Sequence, residues 1–310
     1  MKTVPHNLYS VHNQPLILCF RLKVEKKLGW GNFSTVWQCK NLVKQTQVAV
    51  KVNKSDKEVA EMAMDEIKLL QCIAKASDAQ HIGSKHVLRL VGQFEVEGAN
   101  GRHICLALEL LGCSLLKCYK PGKAGMPLVK VREVMAQVMK GLDFLHTKAR
   151  IIHTDIKPEN ILLAEPGTSG LPNEVPWNVK IGDLGSACWT TKRFSVSIGT
   201  REYRAPEALL GVEDYGTEVD VWAAACTAFE LATGHYLFKP KEREGWSKDE
   251  DHLLRITELV GELPRSIIKA GFLGAKYYVG RRLKNVDQGV IAAFNLFQVS
   301  RSTLMIKYVH

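Results

Sequence analysis

The stretch Ile151-Ile-His-Thr-Asp155-Ile-Lys157-Pro-Glu-Asn160-Ile-Leu-Leu163, with Ile181-Gly-Asp183-Leu-Gly185 shortly after it, decides how this chain reads. Each segment is a short polar run bracketed by apolar residues, the pattern of a loop held between buried strands. A lone His-x-Asp is no more than a turn in which the aspartate bonds nearby backbone. An aspartate followed by a lysine two residues on and an asparagine five residues on is far less accidental. It supplies a carboxylate to orient a hydroxyl, a cation for a phosphoryl group in transfer and an amide oxygen for a metal. Asp183, in its own strand-to-loop turn, adds a second hard oxygen ligand of the kind that suits Mg²⁺.

Upstream, alternation and β-branched residues predict strands over 22–28, 34–39 and 46–52, paired as a twisted antiparallel sheet. The turn between the first two is Gly29-Trp30-Gly31-Asn32-Phe33-Ser34-Thr35-Val36. Glycines there let backbone N–H groups approach a polyphosphate, although a glycine-rich hairpin is by itself only a turn, and Ser34 stands where a third glycine is usual. Val48-Ala49-Val50-Lys51 then places a lysine between apolar neighbours. Taken alone, Lys51 reads as a snorkelling surface side chain. The next predicted helix, opened by the capping-box pattern Ser55-Asp-Lys-Glu58, carries Met62, Leu69, Leu70 and Ile73 on its apolar face, with Glu66 at the same spacing. A carboxylate on a buried face needs a cation, and Lys51 answers that need while remaining able to grip phosphate oxygens.

Further strands are expected over 87–91 and 103–110, then a Leu/Gly/Cys hinge. A helix follows with the stripe Val131, Val134, Met135, Val138, Leu142 and Leu145, then a Pro/Gly-rich loop over 164–178 and helices near 219–232 and 251–260. The pattern is a strand-rich N-terminal lobe joined to a helix-rich C-terminal lobe, an α+β organisation.

With these motifs in this order, and with Ala205-Pro-Glu207 and Asp220-Val-Trp after them, the chain resembles the eukaryotic protein kinases from about residue 22 to about residue 286. The resemblance implies the bilobal kinase fold, with an N-lobe over 22–110, a C-lobe over 113–286, and divergent segments at 1–21 and 287–310. It implies Asp155 as the catalytic aspartate, with Lys157 and Thr200 beside it, Asn160 and Asp183 as Mg²⁺ ligands, and ATP as phosphoryl donor. Gly29 to Val36 and Lys51 would hold its phosphates, with Glu66 paired to Lys51. Leu108, Glu109 and Leu111 would lie at the gatekeeper and hinge, and Leu28, Val36, Ala49 and Leu162 would sandwich the adenine.

Within that superfamily the wording at 27–37, 151–162, 182–189 and 200–207 is similar to the SR-protein kinases, as are Phe-Glu-Leu-Ala-Thr-Gly at 229–234 and Glu-Leu-Val-Gly-Glu-Leu-Pro at 258–264. That likeness implies phosphorylation of serines in Arg-Ser-rich proteins, with Asp251 and Glu258 as substrate-docking acids one helical face apart. On spacing alone the pair reads as a solvated helix face. His235 stands where that family usually has an acid. Thr154 stands where many kinases carry an arginine for an activation-loop phosphate, so Ser195 or Ser197, once phosphorylated, would have no local receptor, and intrinsic activity is expected. The family pattern stops after about residue 286. The arginine that pairs with the Glu207 carboxylate has only Arg301 as a candidate, and the C-lobe is expected to lack its last helices. Two rival readings follow: a kinase-fold binding module with poor turnover, and a related dual-specificity splicing kinase.

Composition bounds these readings. Of 310 residues 46% are hydrophobic and 24% charged, which excludes a mostly disordered chain. No apolar run approaches the ~18 residues of a membrane span, and the first 24 residues, though free of acids, lack the arginine-rich pattern of a transit peptide. The eight cysteines form no Cys-x-x-Cys pair and read as reduced core thiols of a cytoplasmic or nuclear protein. The net charge of +10 first suggests nucleic acid or a membrane surface. It resides at the ends, however: residues 1–28 carry five bases and one acid, residues 259–310 eight bases and two acids, and 29–258 is neutral. Residues 211–258 hold eleven acids and five bases, a net −6. The expected partner is therefore a basic protein, met by a monomer, with no direct nucleic acid and no membrane.

Overall fold

The computed structural model describes residues 17–18, 21–77, 81–166, 176–242 and 244–284. Strands β1 (Ile17–Leu18), β2 (Leu22–Trp30), β3 (Ser34–Asn41), β4 (Gln47–Asn53), β5 (Leu90–Gly98) and β6 (Gly101–Glu109) make one antiparallel sheet in the order β1-β2-β3-β4-β6-β5. Its two faces follow the period of two along each strand. Val48, Val50 and Val52 of β4 join Trp37, Cys39 and Cys105 in a small outer cluster. Ala49 of β4 and Ile104, Leu106 and Leu108 of β6 turn inward to the main core.

Helix α1 (Lys57–Ser77) packs on that inner face through Val59, Ala63, Ile67, Leu70 and Ile73. Two expectations are corrected here. Met62 is 45% exposed at the rim of the stripe. The helix starts at Lys57, leaving Ser55 outside the cap position, where its hydroxyl donates to the Asn100 carbonyl at 2.6 Å. The strand expected over 87–91 also lies later in the chain. Val87 is buried and bridges Ile181, and the Leu88 N–H bonds the Ile181 carbonyl, so this apolar run serves the lobe junction rather than the sheet.

Below the sheet, α2 (Leu128–Phe144) presents Val131, Val134, Val138 and Leu142 to the core. It continues through a wider turn at Leu145–Ala149 and stops at Arg150, whose left-handed backbone (φ 58°) ends the helix. Strand β7 (Ile151–Ile152) pairs with β10 (Cys188–Trp189), and β8 (Ile161–Leu163) with β9 (Val179–Ile181). The predicted sequence segments around the two polar runs are thus two small antiparallel ladders. They are followed by α3 (Pro206–Leu210), α4 (Glu218–Thr233), α5 (Lys248–Val260), α6 (Arg265–Ala270) and α7 (Gly274–Tyr277). The capping box occurs at α5, where Ser247 and Glu250 each satisfy the other's backbone N–H.

One apolar cluster runs through both lobes, from Leu70 and Ile73 of α1 and Leu106 of β6 to Val138 and Leu142 of α2 and Ile181 of β9. Residues 167–175 of the expected loop lie outside the described residues, but its end is anchored. Trp177 is buried, its N–H donates to Glu133 at 2.8 Å, and its carbonyl accepts from Gln137. Among the described residues no cation pairs with Glu207, whose carboxyl is pushed up by burial. Arg301 and the segment after residue 284 lie outside the described residues.

Candidate active site

Lys51, on β4, and Glu66, on α1, meet between the sheet and the helix, with both carboxylate oxygens 2.9 Å from the ammonium. Their side chains are 14% and 5% exposed. Lys51 also reaches Asp183 at 3.2 Å. Burial alone would drive its proton off, yet the carboxylates of Glu66 and Asp183 hold it firmly charged. In return the Lys51 charge, acting against burial, keeps the Asp183 carboxyl below the usual carboxylate range. Asp183 has a left-handed backbone (φ 53°) and a half-exposed side chain.

Asp155 lies in the loop between β7 and β8. One carboxylate oxygen accepts the Thr200 N–H at 3.0 Å and the Thr200 hydroxyl at 2.7 Å, and the other accepts Lys157 at 2.7 Å and the Asn160 amide at 3.2 Å. Lys157 also donates to the Thr200 hydroxyl at 2.7 Å. Burial works to raise the Asp155 pKa, but these hydrogen bonds and the Lys157 charge outweigh it and hold the group below the ordinary range. Asn160 spends its NH₂ on Asp155, donating also to its backbone carbonyl at 2.8 Å, so its amide oxygen is turned away from that aspartate.

The loop is held from behind by residues whose roles the sequence motifs did not disclose. Asp220 on α4 is fully buried and accepts the backbone N–H groups of His153 (2.8 Å) and Thr154 (2.7 Å) and the ring of His146 (2.8 Å). Thr154 adopts φ 68°, strained for a β-branched residue, and its hydroxyl donates to the Ser186 carbonyl at 2.9 Å. His153 is buried, with one ring nitrogen 2.9 Å from the Gly182 carbonyl and the other 3.3 Å from the Asp155 N–H. Nε2 faces the Gly182 carbonyl as a donor, and Nδ1 faces the Asp155 N–H. The ring thereby ties the two polar runs together.

The remaining expected residues differ in exposure. Ala49 and Leu108 are paired across β4 and β6 and are nearly buried. Val36, Leu111 and Leu162 are partly buried, and Leu28 is 39% exposed at the rim. A Cβ at Gly182 would sit 2.6 Å from a Leu162 methyl, so a side chain there would displace Leu162. Glu109 turns its carboxylate back onto Lys180, at 2.7 and 2.8 Å, which leaves only its backbone for the expected hinge. The β2–β3 hairpin overhead exposes Gly31, Asn32 and Phe33, with Trp30 77% exposed under the Lys27 ammonium. Ser34 is half-buried and Thr35 buried. A Cβ at Gly29 or Gly31 would meet nothing within 4 Å, so packing does not require glycine there and the space beside the loop is open.

The docking expectation divides. Glu258 is half-buried on α5. Asp251 is completely buried, contrary to its expected place on a face open to substrate: it accepts the Lys241 N–H at 2.8 Å and Arg255 at 2.7 Å. A second acidic feature, not singled out from the sequence, lies on α4 near Glu159. Glu230 of α4 accepts the hydroxyls of Tyr119 (2.5 Å) and Tyr203, and the nearby charges of Glu159 and Glu202 add to burial in raising its pKa. The Phe-Glu-Leu-Ala-Thr-Gly motif contained this residue, but only the fold brings Glu159 and Glu202 to it.

Comparison with known proteins accords with this geometry. Residues 22–270 match the family model described as the protein kinase domain. The serine/threonine-protein kinase SRPK of Physarum polycephalum is 38% identical, over 83% of this chain and 70% of its own length. Mouse SRSF protein kinase 3 is 30% identical, over 83% of this chain and 75% of its own. Protein kinase dsk1 of Schizosaccharomyces pombe is 30% identical, over 81% and 68%.

Proposed function

The chain belongs to the protein kinase family, as a serine/threonine kinase of the SRPK type; from that premise we propose that it transfers the terminal phosphoryl group of ATP to serines of Arg-Ser-rich proteins. The observation that carries the catalytic part is the Asp155 carboxylate, held ionised between Thr200 and Lys157 at 2.7 Å from each. A seryl hydroxyl brought to Asp155 is oriented for in-line attack: as its oxygen bonds the terminal phosphorus, the bond from that phosphorus to the bridging oxygen breaks, ADP leaves, and the hydroxyl proton passes to the Asp155 carboxylate. Lys157, within reach of the same carboxylate, balances the charge gathering on the transferring group. Lys51, fixed by Glu66, grips the inner phosphates, and the open side of the Gly29–Gly31 turn gives backbone N–H groups room to approach them. Leu28, Val36, Ala49, Leu108, Leu111 and Leu162 take the adenine between apolar surfaces.

The Asn160 amide oxygen and the ionised Asp183 carboxylate form a hard oxygen donor pair that fits Mg²⁺. Bound there, Mg²⁺ would neutralise charge on the phosphates.

The acceptor class is supported by charge. Glu159 is exposed and Glu202 half-buried, and both lie close enough to the buried Glu230 to act on its charge; residues 211–258 carry a net −6. Arginines flanking a serine find carboxylates there, whereas an acidic peptide is repelled. No helix among the described residues is long and apolar enough to cross a membrane, and we place this activity in a monomer acting in cytoplasm and nucleus. Because the catalytic loop keeps its contacts without a phosphorylated side chain, we expect activity without prior activation. The test is an acceptor panel at fixed Mg-ATP: an Arg-Ser repeat peptide, a Lys-Ser repeat, and Ser and Tyr acceptors in acidic surroundings. Preference for Arg-Ser supports the proposal. Equal transfer to the acidic Ser peptide, or transfer to Tyr, contradicts the substrate class. A thermal upshift with Mg-ATP but no transfer to any peptide favours the binding-module reading.

A further inference from the structure

The sequence offers no Cys-x-x-Cys pair, yet the fold brings two thiols together. Cys113 and Cys118 lie with their sulfurs 3.7 Å apart. They bracket a short 3₁₀ turn at Leu115–Lys117, and the Cys118 N–H closes that turn onto the Leu115 carbonyl at 2.8 Å. The turn reverses the chain, which is how residues five apart come to face each other. Both cysteines are partly buried against the main core, so neither is sealed from solvent. Cys72 instead donates to the Ala149 carbonyl and Cys188 meets the Tyr215 hydroxyl.

The position of the pair gives it a reach beyond its own turn. The Gly112 N–H bonds the Leu163 carbonyl, and the Leu163 N–H bonds the Cys113 carbonyl. Cys113 is therefore stapled to β8, the strand that carries Leu162. Cys118 precedes Tyr119, whose hydroxyl donates to Glu230. A covalent link between the two sulfurs would tie β8 to the segment that holds this acid.

We propose that Cys113 and Cys118 are a redox modification site, a dithiol that closes to an intramolecular disulfide on exposure to a peroxide. Closure needs the sulfurs to move from 3.7 Å to about 2.05 Å, a distance that side-chain rotation within one turn can cover. The chemistry balances with hydrogen peroxide as the oxidant. The Cys113 sulfur attacks one peroxide oxygen, the O–O bond breaks, and the departing hydroxide leaves as water with the thiol proton, giving a sulfenic acid. The Cys118 sulfur then attacks the Cys113 sulfur, the S–O bond breaks, and the Cys118 proton leaves with that hydroxide as a second water. Two thiols lose two electrons and one peroxide becomes two waters. The Cys118 sulfur, 3.7 Å from that of Cys113, is placed to resolve the sulfenic acid, and burial with the adjoining Cys113 thiol raises its pKa, so that it stays protonated until then. The inference is independent of the acceptor specificity proposed above.

Lys117 lies between the two cysteines and supplies the readout. Trypsin cleaves after it and separates Cys113 from Cys118 unless a disulfide joins them. The full-length chain is treated with stoichiometric hydrogen peroxide, its remaining thiols are alkylated, and it is digested and analysed by mass spectrometry without reduction. The expected result is a linked pair of peptides carrying Cys113 and Cys118, lighter by two hydrogens than their sum and released by dithiothreitol. Cys118→Ser is expected to stop Cys113 at the sulfenic acid, trapped by dimedone, and Cys113→Ser to abolish the link. The wild-type digest needs no variant to fold. Recovery of both cysteines as alkylated thiols when other thiols are already oxidised, or their separate conversion to sulfinic acids, would overturn the proposal. So would a link from either one to a different cysteine.

Discussion

Removing the Asp220 carboxylate should disable the catalytic loop from a position that never touches substrate. Asp220 is fully buried and accepts the N–H groups of His153 and Thr154. In Asp220→Ala both donors are left inside the protein without a partner. At ~1–3 kcal/mol for each orphaned group the loss is ~2–6 kcal/mol, a large share of the ~5–15 kcal/mol that holds a domain together. The left-handed backbone of Thr154 (φ 68°) loses one of its two restraints, and Asp155 is the next residue. A melting curve should fall by roughly 5–20 °C, on the scale of ~2–4 °C per kcal/mol for a chain of this size. Asp220→Asn retains one acceptor oxygen for the backbone pair and should lose about half as much. In both variants kcat should fall at least ~10-fold, the effect of ~1.4 kcal/mol in the barrier, with KM for ATP little changed, because Lys51 and the glycine turn are remote from the lesion. Thermal melts paired with initial-rate kinetics make the measurement. An Asp220→Ala protein that melts within 2 °C of wild type and keeps its kcat would refute the reasoning.

Other expectations follow from the same contacts. Lys51→Met strands Glu66, which is only 5% exposed, and should destabilise the fold by ~3–5 kcal/mol as well as stop phosphoryl transfer; adding Glu66→Gln should restore the melting temperature without restoring activity. Thr200→Val removes the hydroxyl that lies 2.7 Å from both Asp155 and Lys157; loss of a ~1.5–3 kcal/mol charged hydrogen bond should lower the melting temperature by ~3–12 °C at ~2–4 °C per kcal/mol, and kcat should fall as Asp155 loses its orientation. His252 is buried against Phe238, and burial, with Arg201 and Arg204 nearby, holds its pKa down to about 3. Its unfolded form takes up a proton near pH 6.5 and the folded form does not, so stability should decline as pH falls from that point towards 3, and His252→Leu should flatten this part of a urea-denaturation pH profile. Asp155 and Asp183 have depressed values, so their contribution is fully present above the ordinary aspartate range and is lost at still lower pH.

Much of this site was legible in the sequence because its residues are adjacent in the chain or fixed by local geometry. Asp155, Lys157 and Asn160 converge within one loop, and the Lys51–Glu66 pair followed from a buried helix face that demanded a cation. The strand expected over 87–91 failed because an apolar run reports burial, whereas strand membership depends on where the backbone bonds lead, and Leu88 bonds Ile181. Met62 failed because spacing alone does not fix how wide the buried stripe on α1 is. The docking role of Asp251 came from the family likeness, and its spacing to Glu258 reads as a solvated face; it is buried instead because the Lys241 N–H and Arg255 bond its carboxylate. The Cys113–Cys118 approach escaped a search for metal or redox spacings because a 3₁₀ turn sets it. The shared environment of Glu159, Glu202 and Glu230 depends on three separate segments meeting, which no local pattern encodes.

The central claim, that Asp155 serves phosphoryl transfer to a serine in arginine-rich surroundings, is tested most directly by following radiolabelled phosphate from Mg-ATP into an Arg-Ser repeat peptide. Wild-type chain is compared with Asp155→Asn, and both are checked for Mg-ATP-dependent thermal stabilisation so that folding is controlled. The account predicts serine phosphorylation by the wild type and at least ~10²-fold less by the variant, the scale of a lost acid–base group, with both proteins stabilised by nucleotide. A folded, nucleotide-stabilised wild type that leaves the peptide unlabelled, or an Asp155→Asn chain that labels it at the wild-type rate, would contradict it.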